Sequence, residues 1–321
     1  MDLFDYKPEK PFSQKHLVWL KDYTQDEILQ IISLGLKLKK EFKEGKPNRT
    51  LEGKTLAMVF SKSSTRTRVS FEVGMYQLGG MALFLSASDI QLGRGETIAD
   101  TARVLSRMVD GIMIRTFKQS DVDELAEYAA VPVINGLTDL VHPCQALADI
   151  MTLYEQKGGL QGLKLAYMGD GNNVANSLLT ICSKLGVNIS MACPKGYEPD
   201  DGMIDRAKAF AARSGSSVIL THEPEAAVQG ADAVYTDVWA SMGEESETEV
   251  RKRFFIPYQV NGALFSLAKP DAIFLHCLPC HRDEEVTADV VDGPASAVID
   301  EAENRLHVQK AVLCLLMGGG R

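Results

Sequence analysis

Hydroxyl and guanidinium donors are concentrated in residues 61–80, SKSSTRTRVSFEVGMYQLGG. Ser64, Thr65, Arg66 and Thr67 stand side by side, just after the apolar run Leu56, Ala57, Met58, Val59 and Phe60. An unbroken apolar run of this length reads as a strand buried on both faces of a parallel sheet. Beyond the donors, Val69, Val73, Tyr76 and Gly80 recur at helical spacing, with Phe71, Met75 and Leu78 widening the apolar face. The donors therefore fall where a strand ends and a helix begins. Backbone N–H groups, hydroxyls and a guanidinium converging at such a point make a phosphate site. A plain N-cap by Ser63 or Ser64 with solvated arginines is the simpler alternative, but four consecutive donor side chains exceed what a cap needs. Arg66 and Arg68 are turned about 200° apart on a helix, so one anion takes only one of them, and Arg66 is the candidate. The chain has no Gly-x-x-x-x-Gly-Lys pattern, so the cradle is not that of a P-loop nucleotide enzyme.

Other candidates lie where strands end. Arg115 closes the run GIMIRT, and His142 and Gln145 sit in LVHPCQ between a strand and a helix. Ligands of open α/β sheets bind outside the carboxyl ends of the strands. On sequence alone, a His before Pro is a turn residue, a packed histidine or a catalyst. The turn Gly169-Asp170-Gly171-Asn172-Asn173-Val174 invites a dinucleotide reading, which would make the protein a nicotinamide oxidoreductase. Val174 stands where a third small residue is wanted, and no acid follows about 20 residues on to hold a ribose. Asp237 ends another strand ahead of Ser241, Met242 and Gly243; a carboxylate there can hold an ammonium group while a glycine-containing loop closes over a ligand. The alternative is a solvated acidic loop, given the glutamates between 244 and 249. His276-Cys277-Leu278-Pro279-Cys280-His281 contains Cys-x-x-Cys between histidines, but no second ligand pair follows for zinc, and the motif ends a late strand rather than opening an early redox helix. Neither a metal nor a cofactor is called for.

The composition narrows the class. The 321 residues suit two domains of about 150, and 45% hydrophobic content supports two cores. A formal charge of −9 excludes a general nucleic-acid surface, so the phosphate site is a local basic island, with Lys62, Arg66, Arg68 and Arg94 to supply it. No apolar run is long enough for a membrane span, and the N-terminus lacks the pattern of a signal peptide. Six scattered cysteines make no disulfide framework. The chain reads as cytoplasmic, with no membrane and no nucleic-acid partner.

The elements that must position these residues follow a βα alternation. A helix opens at Thr24 or Gln25; then come the 54–60 strand, the Ser-Thr-Arg helix and MALFL as another buried strand. The loop SASDIQLGRGE, carrying Gln91 and Arg94, is long enough for a mobile arm, although a plain surface loop is the other reading. Ile98, Ala102, Leu105 and Val109 mark a helix, GIMIRT and VPVIN are strands, and Cys144 through Tyr154 form a helix. From 158 the pattern restarts with KLAYMG, a helix, NISMAC, SSVILT, a short helix at EPEAAVQG, AVYTDVW and AIFLHC. The expected fold is α/β, two doubly wound parallel-sheet domains at 1–157 and 158–301, with a last helix at about 302–318.

The Ser64-Thr65-Arg66-Thr67-Arg68 run resembles the carbamoyl-phosphate signature of the aspartate and ornithine carbamoyltransferase family, and the later motifs resemble its ornithine branch. The resemblance covers nearly the whole chain and implies that the last helix packs back on the first domain. It implies a carbamoyl-phosphate site of Ser64, Thr65, Arg66, Thr67, Gln91, Arg115, His142, Gln145 and Arg305, with Gln91 reaching in from a neighbouring subunit. It implies an ornithine site of Asn173, Asp237, Ser241, Met242, Cys277 and Leu278, the last in a His-Cys-Leu-Pro motif with a cis Leu–Pro bond. Arg115, His142, Asp237 and Cys277 are the implied catalytic residues. The implied reaction is carbamoyl transfer from carbamoyl phosphate to the δ-amine of L-ornithine, in a homotrimer or multiple of trimers, without metal or cofactor. Putrescine is the near alternative acceptor, and a non-catalytic amino-acid binding protein the alternative of another class.

Overall fold

The structure, a computed structural model, describes residues 2–90, 95–240 and 248–319. The chain divides into two compact units, Met1–Met151 with Glu303–Arg321, and Thr152–Ala302. Each is a parallel sheet with helices connecting its strands, as the alternating pattern requires.

The first unit begins with α1 (Gln25–Lys43), opened by a reciprocal capping box in which Thr24 and Glu27 satisfy each other's backbone N–H. Then follow β1 (Thr55–Phe60), α2 (Thr65–Gln77), β2 (Met81–Ser86), α3 (Ile98–Leu105), β3 (Gly111–Arg115), α4 (Gln119–Tyr128), β4 (Val133–Leu137) and α5 (Pro143–Lys157). The strand order is β2-β1-β3-β4. Ala57, Val59, Ile112, Ile114 and Val133 carry the two central strands and β4 into a core shared with Val122 and Leu125 of α4.

Two expectations about this unit need correcting. MALFL is an edge strand, not a buried one: Met81, Leu83 and Phe84 are exposed at 55%, 39% and 38%. An apolar run cannot by itself tell a central strand from an edge strand, because both carry the same β-forming residues. On α2 the core face is Phe71, Met75 and Leu78, all fully buried, whereas Val69 and Tyr76 point to solvent. Residues 67, 70, 71, 74 and 75 are the buried set of this helix. Small and hydroxyl-bearing members of that set, Thr67, Ser70 and Gly74, hid the true face from a search for large apolar residues.

The second unit contains β5 (Lys164–Met168), α6 (Asn173–Leu185), β6 (Asn188–Ala192), α7 (Asp201–Ser214), β7 (Val218–Thr221), α8 (Pro224–Val228), β8 (Ala233–Thr236), α9 (Thr248–Phe255), α10 (Gly262–Phe265), β9 (Ile273–Leu275) and α11 (Ala288–Val291). Its strand order is β7-β6-β5-β8-β9. α7 was not anticipated: its buried residues are Met203, Ile204, Ala207 and Ala211, so half of its apolar stripe is alanine among charges. The last helix, α12 (Val298–Met317), starts four residues before the expected 302, and the division between units falls inside it, as another falls inside α5. Among the described residues no helix is long and apolar enough to cross a membrane.

In both sheets the strand order reverses direction beside the first strand of the unit, at β1/β3 and at β5/β8. Crevices outside the strand ends at such switch points are where α/β folds bind ligands.

Candidate functional site

In the first unit β1 and β3 end level with each other, Phe60 opposite Arg115. α2 starts a few residues past β1, and Ser64 caps it, its side chain accepting from the backbone N–H of Thr67 at 3.2 Å. The cap and the anion site are thus the same structure, with the positive end of α2 directed at the switch point. Arg68 is turned away: it pairs with Glu72 at 2.9 Å and stacks its guanidinium 3.8 Å over the Phe84 ring. Arg66 and Ser64 are half-buried and Thr65 exposed on the same turn.

Arg115, Thr67, His142, Gln145 and Arg305 are all buried. His142 lies just before α5, where its carbonyl accepts from the N–H groups of Gln145 and Ala146 at 3.1 and 3.3 Å. Arg305, from α12, donates through Nη1 to Gln145 Oε1 at 2.7 Å and through Nη2 to Thr67 Oγ1 at 3.1 Å. Gln145 in turn donates through Nε2 to Asp149 Oδ1 at 2.8 Å. Lys62 is buried in an ion pair with Asp139, its ammonium 4.4 Å over Phe117. Arg115, His142 and Arg305 therefore share one electrostatic environment with Arg66 of α2's first turn. Its sign is read by His142, whose pKa is held well below 6.5 by burial and then by the charges of Arg305, Arg115 and Arg66. The imidazole is neutral at physiological pH, so it can serve as a hydrogen-bonding group without adding charge.

In the second unit the pieces meet at the β5/β8 switch point. Asp237 follows β8 and is buried. Its Oδ2 accepts from Asn172 Nδ2 at 2.8 Å, and its Oδ1 accepts from the N–H of Val238 at 2.8 Å and from Cys277 Sγ at 3.0 Å. Asn172 is also the N-cap of α6, its side-chain oxygen accepting from Val174 and Ala175. Sequence reasoning named Asn173 and missed Asn172; Asn before a helix at a strand end was the available signal. Asn173 is half-buried in the first turn of α6. The glycine that suggested a dinucleotide has a packing reason, since a Cβ on Gly171 would sit 2.2 Å from the Pro199 nitrogen. Arg251 donates to Asp170 Oδ2 at 2.9 Å and to the Trp239 carbonyl at 3.1 Å, tying the segment after β8 to the turn after β5.

Cys277 and Leu278 follow β9. The Leu278–Pro279 bond is cis and Leu278 has φ 55°, a backbone state that branched side chains seldom adopt and that clusters at functional sites. His276 accepts from the Leu278 N–H at Nδ1 (2.9 Å), so Nε2 carries the proton and donates to Glu285 Oε1 (3.2 Å). Burial alone would raise the Glu285 pKa, but hydrogen bonds from His276 and the His281 backbone outweigh it and hold the carboxyl below its ordinary value. Asp237, His276 and Cys277 bring potential ligand atoms within 4.8 Å of one another, as do His281, Glu284 and Glu285. Both ring nitrogens of His276 are already engaged, so the first group is a hydrogen-bonded network rather than a ready metal site. Gln91, Ser241 and Met242 lie outside the described residues.

One parallel-sheet unit gathers cations and donors at its switch point, and the other a carboxylate, a thiol and an amide. The carbamoyl-P binding domain of the aspartate/ornithine carbamoyltransferases matches residues 15–155, and the Asp/Orn binding domain of that family matches residues 161–316. The chain belongs to the aspartate/ornithine carbamoyltransferase family. It is 60% identical to the ornithine carbamoyltransferase of Thermococcus kodakarensis over 305 residues, 95% of this chain and 97% of that protein. The solved ornithine carbamoyltransferase of Pyrococcus furiosus superposes with a TM-score of 0.94 at 59% identity, over 97% of this chain and all of the other. That of Giardia lamblia gives 0.86 at 35% identity, over 96% and 99%.

The state of His142 sets a pH dependence. Its folded pKa is depressed below the unfolded value near 6.5, so its contribution to stability is complete above about pH 6.5 and is lost as pH falls through that value, at up to about 1.4 kcal/mol per pH unit. Urea unfolding of His142→Gln between pH 6.5 and 5 is expected to show a shallower loss of stability than the parent. Parallel slopes would mean that this imidazole is not held neutral.

Proposed function

We infer that the chain transfers the carbamoyl group of carbamoyl phosphate to the δ-amine of L-ornithine, giving L-citrulline and phosphate. The observation that carries this is the pairing of a cationic, hydroxyl-lined switch point in the unit matched to a carbamoyl-P binding domain with the Asp237–Cys277 pair in the unit matched to an Asp/Orn binding domain.

In this reading the helix start at Ser64, Thr65 and Arg66, with Arg115, holds the phosphate, and Gln145 and Arg305 flank the carbamoyl amide and oxygen, with Gln91 added from a neighbouring subunit. As the amine attacks, negative charge grows on the carbonyl oxygen, and Thr67, Arg115 and His142 stabilise it. Loss of one such preorganised donor costs about 3 kcal/mol of barrier. The leaving phosphate oxygen accepts the amine proton, so atoms and charge balance without a metal or cofactor. Asn173 and Asp237 hold the amino-acid end of ornithine, assisted by Ser241 and Met242. Cys277, hydrogen-bonded to Asp237, and the Leu278 backbone orient the amine, which must be neutral to attack although an alkyl ammonium has a pKa near 10. None of the six cysteines is in a disulfide among the described residues, which suits the reducing cytoplasm we assign.

The same reading makes the working unit a trimer or a multiple of trimers. Supporting it is the exposed apolar set of the first unit, Val69 and Tyr76 on α2 with Met81, Leu83 and Phe84 on edge strand β2, since an uncovered apolar edge invites pairing with another chain.

Three measurements test the proposal. With carbamoyl phosphate and equal concentrations of ornithine, putrescine, acetylornithine and aspartate, the product is expected to be citrulline with little from the others; a preference for putrescine would overturn the assignment of Asp237 and the 241–243 loop. Cys277→Ala should lower turnover most at the acidic end of the pH range, and unchanged turnover at every pH would remove the thiol from the mechanism. Light scattering should return three times 35.2 kDa or a multiple of that mass, and a monomer would sink the shared-site reading.

A further inference from the structure

Arg305 comes from the last helix of the chain, far from Thr67 and Gln145 in sequence, so something must hold a long guanidinium side chain in one pose. One turn further along α12 stands Gln309, fully buried. It faces the edge of the guanidinium formed by Nε and Nη2 on one side and the Ser70 hydroxyl on the other. A guanidinium has donors only, so the amide must turn its oxygen to Arg305 and its nitrogen to Ser70. In that sense the oxygen accepts from Arg305 Nε at 3.2 Å and Nη2 at 3.0 Å, while the nitrogen donates to Ser70 Oγ at 2.5 Å. The Ser70 hydroxyl then uses its single proton on the Arg66 carbonyl, 2.7 Å away. A hydroxyl that accepts one bond and donates one is satisfied by this arrangement.

We propose that Gln309 is a positioning residue for the carbamoyl-phosphate site, clamping the Nε edge of Arg305 and tying it through Ser70 to the first turn of α2. Three oxygens, from Gln145, Thr67 and Gln309, then hold the three guanidinium nitrogens. Rotation about the last side-chain bonds of Arg305 would break two of these contacts together. The chain of bonds also ends on Arg66, so one amide registers the cation of α12 against the residue that opens the anion site. The polar stripe Arg305-Gln309 at i, i+4 on a buried helix has no packing reason of its own, because a buried polar group costs free energy unless it is bonded. The proposal rests on the reading in which Arg305 borders the carbamoyl group.

Steady-state kinetics of the full chain separate the possibilities. Gln309→Met keeps the volume and removes all three bonds. It is expected to raise KM for carbamoyl phosphate about tenfold, as for one lost hydrogen bond to a charged group, and to leave KM for ornithine within about twofold. In an Arg305→Lys background, which has no Nε edge to clamp, the same change should alter the carbamoyl phosphate KM less than about twofold. Full additivity of the two substitutions would overturn the clamp. So would equal rises in both KM values accompanied by a lower Tm, which would mark general destabilisation. A wild type that makes citrulline while Gln309→Met matches it overturns the clamp and leaves the reaction standing; a wild type that makes none overturns the parent reading first, and the clamp with it.

Discussion

A cation held in place by uncharged oxygens is the interaction on which the first unit depends. Arg305 donates to Gln145 and Thr67 across sequence separations of 160 and 238 residues. These bonds bring the end of the chain, the start of α2 and the start of α5 to one point. Buried charges cost several kcal/mol of desolvation each unless well bonded, and here Arg115 and Arg305 are both buried within the influence of His142. Such a cluster is tolerable in a protein of net charge −9, and it gives an anionic ligand a strong local field where the surrounding surface would repel it.

The second unit solves a different problem with the same geometry. Its switch point must hold a carboxylate that faces a thiol while staying fixed itself. Asp237 is therefore bonded from three sides, by the Asn172 amide, the Val238 N–H and the Cys277 thiol. Behind it, His276 links the Leu278 backbone to Glu285, and the His276 N–H is accepted by Glu301 at 2.9 Å, which also accepts from Tyr235 at 3.2 Å. The motif around Cys277 is thus built on a network of buried, hydrogen-bonded polar groups, an arrangement that fixes orientation more strictly than apolar packing would.

Much of this was legible in the residues. Strand runs such as Leu56 to Phe60 and the restart at KLAYMG gave the parallel sheets and their order along the chain, because fully buried strands have no alternating pattern to confuse. That Ser64 to Thr67, Arg115, His142 and Gln145 stand at strand ends was legible from the pattern, while a site role for His142 and Gln145 came from the family resemblance. What escaped had a physical reason in each case. The outer face of α2 and the exposure of β2 depend on which strand is central, a tertiary fact that composition does not encode. α7 hides behind small alanines. Asn172 reaches Asp237, and Gln309 reaches Ser70, across long stretches of sequence, and such pairings leave no local period.

The division of the chain has a consequence for how the protein is made. The second unit is contiguous, Thr152–Ala302, whereas the first is assembled from Met1–Met151 and Glu303–Arg321. Domains fold as units while synthesis proceeds from the N-terminus. The residues that open the anion site leave the ribosome before the second unit, yet Arg305 is delivered only after that whole unit. The cationic cluster around His142 is therefore completed only once the second unit has been synthesised, and a nascent chain carries no finished cluster until α12 docks.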